Sequence, residues 1–471
     1  MKSKFAAFAM LFVAVFTLGS CLNSDDDFVY TDDSAITSFS VTTVKQYIHT
    51  LSSTGADSVY TSTTSLTGYR FSIDQNNNII FNIDSLPYGV DATKILCSVS
   101  ASNSGTVLIK SKTSDTLSYV SSTDSIDFSV PRQLQVVSNS GKALRKYTVT
   151  VNVHKEAADS FKWHEMAVSA ALQNLSTVKT VAVSAADGTQ RVMLFGSDGN
   201  HTYIYTYKDA EGWSVASTNL NHQLDANVCN SVVTKSDSVY ISENGNILRS
   251  ADGSQWESIA NATPAVRLVA ASPVRLYAYS ADAQLLASAD CGHTWAAATI
   301  DTDASFLPSG ETTYTCTQLS TNADSYRVTL IGTRADGTMA VWGKIDEAAA
   351  NSENQPWAYY EVSADNRHAL PTLSGISVAA YDGRLFVLGT PDASSAAQLY
   401  ASRDGGITWA ADTLLGMPTG FNLSLQASPA TAKTLTVDGK NFLWMVNATT
   451  GATWRGRINR LGWEKKQFNF E

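Results

Sequence analysis

The stretch "SADCGHTW", Ser288 to Trp295, sets a carboxylate, a thiol and an imidazole side by side in Asp290, Cys291 and His293. Groups of these types could hold a soft metal ion or pair a thiolate nucleophile with its base. A metal site would need further ligands at short spacing, and the four Cys after Cys21 (Cys97, Cys229, Cys291 and Cys316) are scattered and form no CxxC pair. Two other stretches change the reading. "SRDGGITW" repeats the frame with Ser402, Asp404, Gly406, Thr408 and Trp409 in the places of Ser288, Asp290, Gly292, Thr294 and Trp295. "SADGSQW" is one residue shorter and keeps Ser250, Asp252, Gly253 and Trp256. Cys291 then aligns with Gly405 and His293 with Ile407, so the reactive-looking residues occupy variable positions. What recurs suits a turn. Ser and Asp carry short acceptors for backbone N–H groups, Gly takes a positive φ, and Trp buries a large apolar area. Asp252, Asp290 and Asp404 are read as turn residues. In an oxidising compartment a Cys291–Cys316 disulfide is allowed, but no spacing demands it.

No other stretch supplies a reaction. The seven His are scattered, and there is no GxSxG, HExxH, P-loop or GxGxxG. No catalytic residue, cofactor or metal is assigned. Net charge is −10 and no Lys/Arg block appears, which argues against nucleic acid as a partner. The most basic stretch is "TWRGRINRLGWEKK", Thr453 to Lys466. Its Arg455, Arg457 and Arg460, with Trp454 and Trp463, could form an anion-binding surface; solvated charges on a last sheet are the plainer expectation.

The N-terminus reads as a targeting segment. Lys2 and Lys4 precede an apolar run from Phe5 to Leu18, too short to span a bilayer, and "LGSC" follows. Small residues before Cys21 resemble the lipobox of bacterial lipoproteins, which implies an acylated Cys21 as first mature residue, anchored by its acyl chains. The acidic Asp25, Asp26 and Asp27 resemble the surface-export signal of Bacteroidota lipoproteins. The resemblance implies an outer-membrane protein, lipid-anchored and facing the cell exterior. Residues 1–20 are then a signal peptide and 21–33 a flexible acidic tether.

With 471 residues the chain is long enough for two or more domains. From 34 to 155 the signals are all strand: "ITSFSV", "GYRFSI", "NIIFNI", "KILCSVS", "TVLIKS", "SIDFSV" and "YTVTVNV". Tyr147, Val149, Val151 and Val153 alternate, as one buried strand face requires. About seven short strands suggest a β-sandwich, and the layout resembles the Ig-like modules of Bacteroidota surface lipoproteins. "KEAADS", Lys155 to Ser160, reads as a polar boundary.

Residues 161–471 carry a repeat. Trp213, Trp256, Trp295, Trp357, Trp409 and Trp463 recur at intervals of roughly 40 to 60 residues, near the length of a four-stranded propeller blade. Before each comes a pair of apolar runs, such as "RLFVLGT" then "QLYASR". "KIDEAAANSENQ", Lys344 to Gln355, reads as a loop inserted in the longest interval. Trp163 and Trp444 fall off the repeat, and "FKWHEM" is placed as the strand that closes the ring by completing the last blade. The turns resemble the Asp-box, or BNR repeat, of sialidase-like propellers. The expected fold is all-β: an Ig-like sandwich followed by a six-bladed, alternatively seven-bladed, β-propeller.

Sialidases hold a carboxylate with three Arg, the first in a Phe/Tyr-Arg-Ile-Pro motif. The propeller segment lacks that motif, and its twelve Arg cannot be grouped into a triad from sequence. The resemblance covers the scaffold and not the chemistry. The whole layout resembles an uncharacterised family of Bacteroidota lipoproteins. The reading is a monomeric ectodomain whose propeller binds a glycan or a surface or host protein without catalysis. A glycan-acting hydrolase and a scaffold subunit of an outer-membrane complex stand as alternatives.

Overall fold

A computed structural model describes residues 29–51, 57–185, 187–348, 355–362, 366–392, 395–421 and 431–463. Cys21, Asp25, Asp26 and Asp27 lie outside the described residues. The chain divides into two compact units between Ala158 and Asp159. Among the described residues every regular element is a strand or a short 3-10 turn.

In the first unit a six-stranded sheet runs Phe71–Asp74, Ile79–Asn82, Leu144–Thr150, Arg132–Val137, Thr106–Lys110 and Leu117–Tyr119 in spatial order. Its second and third strands are parallel and its other pairs antiparallel. Ile36–Ser40 pairs with Ser98–Ala101 as a separate ribbon. The alternation from Tyr147 holds: Tyr147 and Val149 are fully buried, and Val151 and Val153 pack against the same core. The Tyr147 hydroxyl donates to Gln75 Oε1 at 2.6 Å. One expectation fails here. "SIDFSV" is not a strand; Ile126 and Phe128 are buried from an irregular loop whose one ladder contact is the bridge Ile95–Ile126. Sequence reading also passed over the hairpin Thr43–Leu51 with Asp57–Ser65, whose Tyr47, Val59 and Tyr60 are exposed.

Among its described residues the second unit holds six antiparallel sheets, in chain order. The first is Thr177–Ser184, Gln190–Ser197, His201–Lys208 and Gly212–Val215, with the short Leu224–Asp225 added to its third strand. The second is Val232–Lys235, Ser238–Glu243, Asn246–Ser250 and Glu257–Ala260; the third is Arg267–Ala271, Leu276–Tyr279, Leu285–Ser288 and Ala296–Ala297. The fourth is Thr312–Leu319, Asn322–Thr333, Met339–Glu347 and Ala358–Tyr359; the fifth is Ser374–Tyr381, Arg384–Thr390, Gln398–Ser402 and Ala410–Ala411. The sixth takes Lys433–Val437, Leu443–Asn447 and Ala452–Gly456 from one end of the unit and Trp163–Glu165 from the other. Each sheet's first strand touches the first strands of its two neighbours, so six of them close a ring.

The apolar runs seen in the sequence are the second and third strands, the second strands largely buried on both faces between adjacent sheets; Ser238–Glu243 and Leu443–Asn447 are buried throughout. The first strands of the fourth, fifth and sixth sheets carry hydroxyls that bond to backbone groups of the next sheet. Thr180 N donates to Thr434 Oγ1 at 3.0 Å, Leu435 N to Ser377 Oγ at 2.9 Å, and Val378 N to Thr313 Oγ1 at 3.0 Å. These bonds pair N–H groups that the ring would otherwise leave buried and unsatisfied.

Trp163 does pair into the last sheet, opposite Gly456. It opens a fourth strand, the place that Trp256, Trp295, Trp357 and Trp409 hold just ahead of theirs. The sixth member of the repeat is therefore Trp163 and not Trp463, which follows the 3-10 turn Asn459–Gly462 and lies on no strand. Chain order hid this, because ring closure moves the N-terminal strand of the unit to its end. The proposed insertion also begins later than expected: residues Lys344 to Glu347 are still strand.

Candidate functional site

The three Ser-x-Asp turns join third to fourth strands in the second, third and fifth sheets. In the third sheet Ser288 Oγ accepts from Gly292 N at 2.8 Å and donates to Asp290 Oδ1 at 2.8 Å. Asp290 accepts from Thr294 N at 2.9 Å and from Thr294 Oγ1 at 2.6 Å. Ser402, Asp404, Gly406 and Thr408 repeat this pattern. In the shorter turn Asp252 Oδ1 accepts from Ser254 N and Gln255 N, both at 2.8 Å. These donors, led by the Thr294 hydroxyl, hold the Asp290 carboxyl well below the usual carboxylate range. Gly253, Gly292 and Gly406 all have positive φ, and a Cβ on any of them would press on the preceding sheet, at Met193, Ile247 or Val341.

Cys291 has φ 60 and packs with the core between the second and third sheets, while His293 is exposed. Cys291 and Cys316 are both free thiols. The recurring polar atoms of the opening stretch, on Ser288, Asp290 and Thr294, bond to one another and to the backbone of the turn.

The basic stretch is likewise consumed locally. Arg455 bonds Asp209 at 3.0 Å and lies over Phe442 and Trp444. Arg457 reaches Lys440 O, and Arg460 bridges Asp159 and Asp382. Trp454 is in the core.

On the ring axis lies a polar cavity of about 280 Å³. None of the twelve Arg lines it; its cations are Lys179 and Lys433. Burial brings both ammonium groups down to about 8. Lys179 Nζ sits 5.8 Å from the centre of the Tyr314 ring, and the Tyr314 hydroxyl reaches from the fourth sheet to the second to accept from Thr234 N at 2.7 Å.

A larger cavity of about 620 Å³ opens where the second, third and fourth sheets meet. It is walled by the connections entering the second and fourth sheets and by the turns after second strands. In an antiparallel sheet these lie at the opposite end from turns after third strands, so the Ser-x-Asp turns are remote from it. Its volume is typical of small-molecule sites. Arg267 and Tyr279 are cross-strand partners, hence on one face of the sheet. The guanidinium carbon stands 5.2 Å from the centre of the Tyr279 ring, and Nη1 donates to Gly310 O at 3.1 Å. Tyr279 is 5% exposed and its hydroxyl has no hydrogen-bond partner. Across the cavity Glu243 accepts from Asp225 N at 2.8 Å and lies 2.6 Å from His222 Nε2; Asn244 Nδ2 donates to Asp225 Oδ2 at 2.8 Å. Burial lowers the Arg267 pKa and raises that of Tyr279. Sequence reading missed this site, because Arg267 and Tyr279 sit in ordinary strand patterns and meet only through strand register. Among the described residues no group of His, Cys, Asp and Glu is arranged to hold a metal ion.

Residues 157–466 match the family model described as the DUF6242 beta propeller domain, and residues 39–151 match the DUF6242 N-terminal domain, a domain of unknown function. No curated protein matches the chain. Solved structures similar to it include a lectin from Aleuria aurantia in complex with alpha-methyl-L-fucoside, 14% identical, covering 60% of this chain and 91% of that one, with a TM-score of 0.38. Others are "YCF48 bound to D1 peptide", 13% identical over 63% and 94% at a TM-score of 0.30, and a thermostable family-43 glycoside hydrolase, 8% identical over 60% and 88% at 0.30.

Proposed function

The chain belongs to the DUF6242 family, with a β-propeller as its C-terminal domain, and from that premise we propose that it is a surface lipoprotein whose propeller binds a glycan without catalysis. In this reading Cys21 is acylated, Asp25 to Asp27 direct export to the outside of a Bacteroidota outer membrane, and an Ig-like sandwich precedes a monomeric propeller in the chain. The six sheets are six blades, and the Ser-x-Asp turns are Asp-boxes that fasten third to fourth strands.

The observation that carries the binding function is the face cavity. It sets an aromatic ring and a guanidinium opposite carboxylates that are already oriented by donors, a lining suited to hydroxyl-rich ligands. The absence of Arg from the axial cavity lining supports binding over sialidase-type chemistry. The test is a glycan array probed with the soluble chain from residue 29 and with Tyr279→Ala. Binding of a defined saccharide that the variant loses is expected. A folded chain that binds no saccharide would overturn the reading.

A further inference from the structure

The charges around the face cavity are unbalanced in one place. Arg267 donates to one carbonyl, Gly310 O, and has no carboxylate partner among the described residues. Lys179, in the neighbouring axial cavity, contacts the Tyr314 ring and also has no carboxylate partner among them. The two cavities share Asn230 as a wall, and the two cations are near enough to repel each other. Half-buried cations without counter-charge are costly, and a purely structural role would be served as well by apolar side chains. The acids of the cavity do not discharge this debt, since Glu243 and Asp225 are engaged with His222, Asn244 and a backbone N–H. Tyr279 adds a buried hydroxyl with no partner beside Arg267.

We infer that the ligand is an acidic saccharide whose oxyanion, a carboxylate or a sulfate ester, sits at Arg267 on the side of Asn230 and Lys179, with the Tyr279 hydroxyl donating to it. The sugar hydroxyls then face Asp225 and Glu243. The ligand supplies the negative charge that the fold omits. This rests on the glycan-binding reading and narrows it to one ligand class.

The test is titration calorimetry of the soluble chain from residue 29 with three probes: galacturonan oligomers, sulfated dextran and a neutral galactan. Binding of either acidic probe without the neutral one is expected, and which of the two binds tells carboxylate from sulfate. Arg267→Gln should weaken it about tenfold or more, the scale of a lost charge-assisted hydrogen bond. Lys179→Met should weaken binding without lowering the melting temperature, which a stabilising structural lysine would not allow. Arg403→Gln, at an exposed turn remote from the cavity, should bind as the parent does. Equal binding of the neutral probe, or acidic binding indifferent to Arg267→Gln and Lys179→Met, would overturn the charge inference and leave glycan binding standing. Failure of all saccharides would remove both.

Discussion

The indole nitrogen of Trp295 donates to the carbonyl oxygen of Gly292 at 2.9 Å. Trp256 makes the same bond to Gly253 and Trp409 to Gly406. Each turn thus ties its own Trp, and the ring fills the seam to the preceding sheet. Replacing Cys291 and His293 together by Gly and Ile should change stability by no more than about 1 kcal/mol. Relief of the left-handed strain at Cys291, φ 60, offsets the flexibility that Gly adds to the unfolded chain. Trp409→Ala, at a site 4% exposed, should cost about 3–5 kcal/mol. The half-buried Trp295 should cost less when truncated. Denaturant melts of the three variants rank them, and a large loss in the Cys291/His293 variant would restore a special role to that pair.

The ring closes through Trp163–Glu165 pairing with Ala452–Gly456, reinforced by the Trp163 indole donating to Gly416 O at 3.0 Å. A propeller begun at residue 166 should therefore expose the edge of Ala452–Gly456, melt earlier than one begun at residue 159, and self-associate. Equal melting temperatures and a monodisperse shorter chain would show that the closing strand is dispensable.

What the sequence revealed follows from where each residue ends up. The second strands are largely buried on both faces and read as continuous apolar runs, and the third strands follow each of them closely in the chain. The three turns repeat because each solves the same hydrogen-bonding problem. The first strands of the fourth, fifth and sixth sheets are tied to the next sheet by Thr and Ser hydroxyls, which look like ordinary surface polarity in one dimension. The hairpin from Thr43 carries exposed Tyr and Val on a ribbon with no further strand beside it, and among the described residues of its first strand only Val44 is buried, so the apolar alternation in the sequence is weak. Arg267 and Tyr279 lie in apolar strand contexts, and only register brings them together.

Asp346 was invisible for the same reason. It is fully buried, and accepts from Ser272 Oγ at 2.6 Å, Tyr277 OH at 2.7 Å and Arg275 Nη1 at 2.9 Å, with Lys344 Nζ at 3.7 Å. Asp346→Ala would take the carboxylate from Arg275 and the acceptor from the Ser272 and Tyr277 hydroxyls, while Lys344 keeps its bonds to the Ile345 and Gln355 carbonyls. A loss of about 3–5 kcal/mol is expected, as for other broken buried ion pairs. Replacing Asp346 by Asn should cost less, because one carbonyl acceptor remains. Paired denaturation curves measure the difference.

For the anchor, Cys21→Ala should release the protein from membranes and abolish labelling by a radioactive fatty acid. Replacing Asp25, Asp26 and Asp27 by Ala should leave it lipidated but shielded from external protease. A Cys21→Ala protein that still labels would refute the acylation, and unchanged protease access would refute the export role.

The two axial lysines make stability depend on pH in a narrow window. Lys433 faces Glu311 and the Ser374 carbonyl, and Lys179 faces Cys229, Arg267 and Tyr314. Both ammonium groups fall from an ordinary 10.5 to about 8 by burial. Between pH 8 and about 10 the unfolded chain therefore holds protons that the folded chain has released. Stability rises with pH wherever the unfolded state binds more protons, so the sign is an increase. The thiols work the other way. Burial lifts Cys97 to about 11 and Cys229 and Cys316 to about 12 from an ordinary 9.0, so above pH 9 the unfolded chain loses protons that the folded chain keeps. Raised tyrosines such as Tyr314, at about 12, add to that loss above pH 10. Stability should climb from pH 8 to near 9 and then fall. In a Lys179→Met, Lys433→Met variant the climb should shrink to what Lys235 and Lys344, also lowered by burial, contribute, while the fall remains, and the variant should be at least as stable as the parent at pH 7, where both lysines are charged and desolvated. Chemical denaturation at intervals across pH 7 to 10 reads this directly. A parent whose stability is flat or falling from pH 8 to 9 would show that the lysines keep enough water in the channel to titrate normally.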